Sequence, residues 1–338
     1  MRNQPRQFGA VTFRSLCALL LACVVFSSAA FGQRPGARRP TAVAAKASSG
    51  AEAFDATTRA LLDAVVEALQ KNSLADAERD ARLAVGGAPR SAVTHNLLGV
   101  VLDREGKTAE ALTEFQSAIA RDPNFASAHN NLGRLLAQSG KMTEAIAEFE
   151  RVLKIDAQHV QAHYNLGAIY AEAGDFKKAA EHFARARAVA PDDPQLALAF
   201  LNVAYRAERT AEAEAAADLI ERAVGSDLRG LFTLATVLAE NKQYERAARL
   251  FARVNQMMPH TFEVLYNLGV SLYNLDRNDE AAGFLAEAAD LNPEPSETHF
   301  RLGLIASARN DYANAVAEFK HAVERDQHNA NYHYLLGR

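Results

Sequence analysis

The sequence predicts an all-α fold, an α-solenoid of stacked antiparallel helix pairs, from its composition and from a repeat that recurs along the chain. The 338-residue chain is 49% hydrophobic and has no Trp. It is rich in Ala, which loses no rotamer freedom on entering a helix. Nearly the same hexapeptide, AHNNLG and then AHYNLG, begins at residues 128 and 162. Histidines recur at the same place in this frame. His95, His129 and His163 are evenly spaced, His299 follows after four such intervals and His333 after one more.

Each repeat carries two apolar faces at helical spacing. The first contains Leu-Gly and a further Leu or Tyr, as in Leu132, Gly133 and Leu136. The second contains Ala and, four residues later, Phe, as in Ala145 and Phe149. Residues three or four apart lie on one side of a helix. Because Gly has no side chain, a second helix can approach the first closely at that point.

Turn residues separate the two helices of each repeat. The segments REGKT, QSGKM and EAGDF place Gly106, Gly140 and Gly174 just after the first helix. A glycine at this position ends a helix in the left-handed conformation at little cost. Pro123 and Pro191 follow the second helix and prevent its continuation.

This pattern resembles the tetratricopeptide repeat (TPR) family, whose period of about 34 residues it reproduces. The resemblance covers roughly residue 58 to the end and implies a right-handed superhelix with a concave groove lined by the first helices. In one degenerate unit Leu201 occupies the usual Gly place and Ala217 replaces Phe. The predicted organisation is a signal peptide over 1–32, a disordered linker over 33–53, a degenerate capping repeat over 54–91, three repeats over 92–193, the degenerate repeat over 194–227, three repeats over 228–329 and the truncated start of another over 330–338.

The first residues have the layout of a secretory signal. Three arginines precede the apolar run from residue 16 to residue 26, and small residues follow. We expect cleavage after Gly32, which would make the mature protein exported, either periplasmic or secreted, or associated with the envelope. An uncleaved anchor and a lipidated Cys23 are the alternatives, and membrane contact is expected only through such an anchor. Cys17 and Cys23 are the only cysteines, so the mature chain would have no disulfide or thiolate metal site.

Charge and motifs narrow the classes of function. All 41 acidic residues lie beyond residue 50, against 30 of the 37 Lys and Arg, which argues against nucleic acid as a partner. The chain has no Gly-rich phosphate loop and no G-x-S-x-G motif, so we predict no catalytic residues and no cofactor. A metal site at the recurring histidines is disfavoured, because equivalent residues of successive repeats form a line and do not converge on one ion. We interpret them as structural residues packed between helices.

The resemblance implies a ligand site in the groove. In some family members the Asn before Leu forms a ladder that binds the backbone of an extended peptide. The predicted site residues are Asn131, Asn165, Asn267, Asn130, Arg134, Tyr164, Tyr266, Phe300 and Arg301. The leading hypothesis is a non-catalytic scaffold or adaptor that binds a partner protein or extended peptide there. The alternative is an accessory region of a larger enzyme, a glycosyltransferase or peptidase, whose catalytic part lies beyond residue 338.

Overall fold

The structure, a computed structural model, describes residues 53–337. The predictions of a signal peptide over 1–32 and of nearly the whole linker over 33–53 lie outside this range. Within it the chain forms seventeen helices and no strand. The all-α prediction is therefore confirmed. Over the same residues, no helix combines the length and the hydropathy that a membrane span requires.

The chain divides into two compact units, which meet in sequence between Val189 and Ala190. The described part of unit 1 contains four helix pairs. Their helices are α1 Ala56–Gln70, α2 Leu74–Gly87, α3 Ala92–Arg104, α4 Thr108–Arg121, α5 Ala126–Gln138, α6 Met142–Ile155, α7 Val160–Glu172 and α8 Phe176–Val189.

Unit 2 contains four further pairs and one short helix. Its helices are α9 Pro194–Ala204, α10 Thr210–Val224, α11 Leu228–Glu240, α12 Tyr244–Met257, α13 Phe262–Asn274, α14 Asn278–Leu291, α15 Ser296–Ala308, α16 Tyr312–Arg325 and α17 Ala330–Leu336.

Stacking follows the same rule within each unit. The two helices of a pair pack against each other, and the second helix also packs against the first helix of the next pair. First helices of successive pairs are also in contact. In unit 1 these are α3 with α5 and α5 with α7, and in unit 2 they are α9 with α11, α11 with α13 and α13 with α15. The predicted stack of antiparallel helix pairs is thus confirmed for each unit.

A glycine facing a bulky residue holds the two helices of most pairs close together. A Cβ added at Gly99 would lie 2.7 Å from the ring of Phe115, and one at Gly133 would lie 2.9 Å from the ring of Phe149. Real Cβ atoms essentially never approach another heavy atom within 3.0 Å. The same contact joins Gly167 to Phe183, Gly269 to Leu285 and Gly303 to Phe319. The glycine predicted to permit close approach does so.

Two pairs reverse this arrangement. The positions equivalent to this glycine and its bulky partner hold Val65 and Ala81 in α1–α2, and Leu201 and Ala217 in α9–α10. All four are essentially fully buried. The first helix therefore supplies the larger side chain and the second supplies the smaller one. The two repeats that depart from the family pattern keep one bulky and one small residue between their helices.

The turn inside each pair has one residue in the left-handed region. It is glycine in three pairs of unit 1: Gly106, Gly140 and Gly174 have φ of 76°, 77° and 79°. The equivalent residues elsewhere also have positive φ, although they carry side chains: Asn72, Glu208, Lys242, Asp276 and Asn310. The prediction of a left-handed turn residue is confirmed at the three glycines, and the conformation is shared by all eight pairs of the described chain.

Candidate functional site

Three of the recurring histidines join the second helix of their own pair to the turn that precedes the pair. His129 is 5% exposed, and its Nδ1 lies 2.6 Å from Glu148 Oε2. Its Nε2 lies 3.0 Å from the carbonyl oxygen of Pro123. A carbonyl oxygen only accepts, so Nε2 donates to Pro123 while Nδ1 faces the carboxylate of Glu148. The ring therefore bonds with both nitrogens at once.

The same two contacts recur at His95 and His299. His95 Nδ1 lies 2.6 Å from Glu114, and His299 Nδ1 lies 2.8 Å from Glu318. Their Nε2 atoms meet the carbonyl oxygens of Pro89 and Pro293. The prediction that the recurring histidines pack between helices is confirmed for these three, and hydrogen bonds add to that packing. It is wrong for His333, which is exposed and contacts the carbonyl oxygen of Gln327 through Nε2 at 2.9 Å.

His163 departs from this rule, because residue 182 is histidine where these three pairs have Glu. His163 Nε2 lies 3.1 Å from the carbonyl oxygen of Ala157, as in the other repeats. Its Nδ1, however, lies 3.0 Å from Nδ1 of His182. Burial lowers the pKa of His163, and burial together with the neighbouring imidazole lowers the pKa of His182 to about 4. Both rings are therefore neutral near pH 7.

The first helices of unit 1 carry side-chain amides that hydrogen-bond to one another in two groups. Asn131 Nδ2 on α5 donates to Asn96 Oδ1 on α3 at 2.9 Å, and Asn165 Nδ2 on α7 donates to Asn130 Oδ1 on α5 at 3.4 Å. Gln161 Nε2 donates to Asn165 Oδ1 at 3.1 Å. These five residues are named the amide row. It brings together three predicted site residues, and each amide has further donor or acceptor capacity for a ligand.

Asn96 and Gln161 were not among the predicted site residues. Asn96 is the counterpart of Asn130 in the preceding repeat, so the period itself contained the signal. Gln161 had no such signal, because its contact with Asn165 follows from the four-residue spacing on α7 and from the side-chain rotamers.

The other predicted residues of unit 1 flank the amide row. Arg134 on α5 forms an ion pair with Asp103 on α3, so its charge is already balanced by a neighbouring repeat. Tyr164 packs edge-on against Phe183, with ring centroids 5.5 Å apart. Each residue therefore also supports the stack, and a ligand would meet only the part that remains exposed.

The predicted residues of unit 2 are arranged differently. Asn267 Nδ2 donates to the carbonyl oxygen of Glu263 on its own helix, at 2.7 Å. Tyr266 stacks on Phe262 with centroids 5.8 Å apart, and burial raises the pKa of Tyr266 to about 12. The amide therefore does not extend a row between helices, and the tyrosine stays protonated over the ordinary pH range.

Arg301 and Phe300 belong to a cluster at the last pair of unit 2. Arg301 bonds Glu297 at 2.8 Å, and its guanidinium lies 5.8 Å from the ring centroid of Tyr273. Phe300 is only 8% exposed, with its ring 4.7 Å from that of Tyr332. Tyr332 in turn donates to Glu297 at 3.0 Å. The cluster joins three first helices, α13, α15 and α17.

Family models match most of the repeat region. The tetratricopeptide repeat models match residues 96–160, residues 136–202 and 238–299, and residues 296–329. The chain belongs to the tetratricopeptide repeat family. TPR proteins bind protein or peptide partners and are generally non-catalytic scaffolds, and these repeats indicate a protein–protein interaction scaffold.

Individual relatives of this TPR chain are distant. Superkiller complex protein 3 of Mus musculus is 28% identical over 100 residues, which is 30% of this chain and 6% of that protein. The chain therefore matches only a small part of that relative.

Solved structures match parts of this chain as well. YrrB, described as a TPR protein with an unusual peptide-binding site, is 22% identical with a TM-score of 0.45, covering 58% of this chain and 97% of that one. A TPR protein from Parabacteroides merdae is 18% identical with a TM-score of 0.37, covering 83% and 98%. The APC/C hetero-tetramer Cut9-Hcn1 is 16% identical with a TM-score of 0.44, covering 82% and 55%.

Proposed function

We propose that this TPR protein is a non-catalytic adaptor that binds an extended segment of a partner protein along the amide row of unit 1. The observation that carries the proposal is the pair of amide bonds between first helices, Asn131 to Asn96 and Asn165 to Asn130. They align polar groups on three consecutive first helices. An extended backbone offers donors and acceptors at a regular spacing, and side-chain amides can satisfy both kinds.

The chemistry of the row favours a peptide backbone over a charged ligand. The five residues are uncharged, and the adjacent Arg134 is neutralised by Asp103. A strongly anionic or cationic partner would therefore find no unpaired countercharge in the row itself. Tyr164, beside Asn165 on α7, adds a partly exposed aromatic ring against which an apolar side chain of the peptide would pack.

A displayed random-peptide library panned against the protein tests this proposal. We expect selected peptides to lose about tenfold or more in affinity when Asn131 and Asn165 are both changed to Ala, because each lost hydrogen bond is worth about 0.5–1.5 kcal/mol. Asn267→Ala is the matched comparison, because its amide is bonded to its own helix, and we expect it to have the smaller effect. Circular dichroism checks that helicity is unchanged. Equal affinities for wild type and the double variant, or a library without binders, would refute the amide row as a site.

We also propose that the mature chain is exported and acts in the periplasm, outside the cell or at the envelope. The support is the N-terminal layout of arginines, an apolar run and small residues. N-terminal sequencing of the protein recovered after expression with its own leader tests this. A mature chain beginning at Gln33 is expected, whereas an intact N-terminus in the cytoplasmic fraction would contradict export.

A further inference from the structure

The imidazole pair of His163 and His182 is the one contact of its kind among the equivalent positions of the described chain. In three other pairs the equivalent partner of the histidine is Glu. Here the two Nδ1 atoms are 3.0 Å apart and the ring centroids 5.3 Å apart. A centroid separation so much larger than the nitrogen separation means that the nitrogens point at each other. That is the geometry of a hydrogen bond, not of two lone pairs directed at one metal ion.

The protons of this pair can be assigned from its contacts. His163 Nε2 donates to the carbonyl oxygen of Ala157, so in the neutral ring Nδ1 is the acceptor. His182 must then donate through its own Nδ1. A first added proton goes to His182 Nε2 and places a charge in a half-buried ring. A second would go to His163 Nδ1, and two N–H groups would face each other with no acceptor between them.

The charged groups around the pair do little to stabilise added protons. On α8, Arg185 opposes protonation of both rings, and Glu181 favours that of His182. From the end of α6, Asp156 favours protonation of His163. Burial lowers the pKa of His159, at the start of α7, and the neighbouring His163 lowers it further. One carboxylate therefore acts on each ring, but neither ring hydrogen-bonds it as the other histidines bond their Glu.

The aromatic ring that stacks on His182 already contacts a cation. Tyr170 stacks on His182 with an interplanar angle of 14° and centroids 5.6 Å apart. Lys178 Nζ lies 5.0 Å from the centroid of the same tyrosine ring, and Lys178 is paired with Asp175. A protonated His182 would share one aromatic ring with an existing ammonium group, which weakens the cation–π stabilisation it could gain.

We propose that the imidazole pair makes the α7–α8 helix pair acid-sensitive and thereby regulates ligand binding at the amide row. Gln161, Tyr164 and Asn165 all lie on α7, close in sequence to His163. Loosening α7 from α8 would displace the last donors of the row and its aromatic neighbour. This inference rests on the proposed function for its consequence, but the acid sensitivity itself does not.

The lowered pKa values determine whether acid stabilises or destabilises α7–α8, and over which pH range. A histidine whose folded pKa lies below its unfolded value of 6.5 stabilises the fold fully above pH 6.5. The stability is lost as the pH falls toward the folded value, about 4 for His182. Lowering the pH from about 7.5 to about 5 should therefore increase the fraction of molecules in which α7 has separated from α8. The contribution of His182 alone to this increase is about thirtyfold.

Hydrogen exchange of the free protein, corrected for the intrinsic pH dependence, tests the acid sensitivity. We expect protection over residues 160–189 to fall by about tenfold or more in that range. Protection over residues 126–155, where His129 faces Glu148, serves as the internal reference. No ligand is present, so the outcome is independent of whether the amide row binds peptide. Parallel pH profiles for the two segments would overturn the proposal.

A second test swaps, between the two helix pairs, the residue that faces the histidine. His182→Glu gives α7–α8 the acidic partner of its neighbours and should flatten its pH profile, whereas Glu148→His should transfer the acid sensitivity to α5–α6. If His182→Glu does not fold, the double change of His163 and His182 to Leu reproduces the apolar Leu231 and Leu250 found at the equivalent positions of unit 2. A pH profile unchanged by all these variants would exclude the imidazole pair as the cause.

Discussion

The pairs α5–α6 and α9–α10 pack their helices with the large and small residues exchanged. In α5–α6 the first helix contributes Gly133 and the second Phe149, whereas in α9–α10 the first contributes Leu201 and the second Ala217. Both pairs place one bulky and one small side chain between two helices. The repeat therefore requires residues of complementary size across the pair and does not require a particular residue at either position.

The largest expected effect comes from converting one arrangement into the other. Phe149→Ala should lower the free energy of unfolding by about 3–5 kcal/mol through the cavity it leaves. Gly133→Leu should lower it by about 1–3 kcal/mol or more, because the new side chain meets the Phe149 ring. The double variant copies α9–α10 and should lose much less than the sum. Urea unfolding of the three variants gives the coupling energy, and additive losses would show that complementarity of size is not the rule.

Much of the fold was predictable because the signals repeat. The constant period, the Leu-Gly face and the turn glycines each occur in several repeats, so the helix pairs and their stacking followed from local patterns. The reversal in α9–α10 was visible as a departure from the pattern, in Leu201 and Ala217. The sequence does not show that the larger residue compensates for the smaller one. That follows from the structure, in which both residues are fully buried.

The site was less predictable, because its contacts depend on neighbouring repeats. Asn131 and Asn165 each find an asparagine on the preceding first helix, at Asn96 and Asn130. The residue equivalently placed before Asn267 is Phe232, which has no side-chain acceptor, and Asn267 bonds its own helix instead. Residue type in one repeat does not determine such contacts.

An intermediate effect is expected from making the polar pair of α5–α6 apolar. His129 and Glu148 are hydrogen-bonded, whereas the equivalent Leu231 and Leu250 of unit 2 are apolar and fully buried. Changing either His129 or Glu148 alone to Leu should cost about 1–3 kcal/mol, since the remaining group loses its partner. The double Leu variant should recover part of this loss, measured by urea unfolding at neutral pH. A double variant less stable than both single ones would indicate that the bond to Pro123 dominates.

The smallest effect is expected in the turns, where the two pairs also differ. Gly140 and Glu208 occupy equivalent left-handed positions, with φ of 77° and 59°. Gly140→Ala should cost about 1–2 kcal/mol, because a Cβ is disfavoured in this conformation. Gly140→Asn should cost less, since Asn310 adopts the same conformation in unit 2 and short polar side chains tolerate it. Glu208→Gly should change stability by less than about 1 kcal/mol, because relief of strain is offset by the greater freedom of the unfolded chain. Thermal unfolding of the three variants orders these effects, and an alanine variant as stable as the wild type would show that the turn conformation is not retained on substitution.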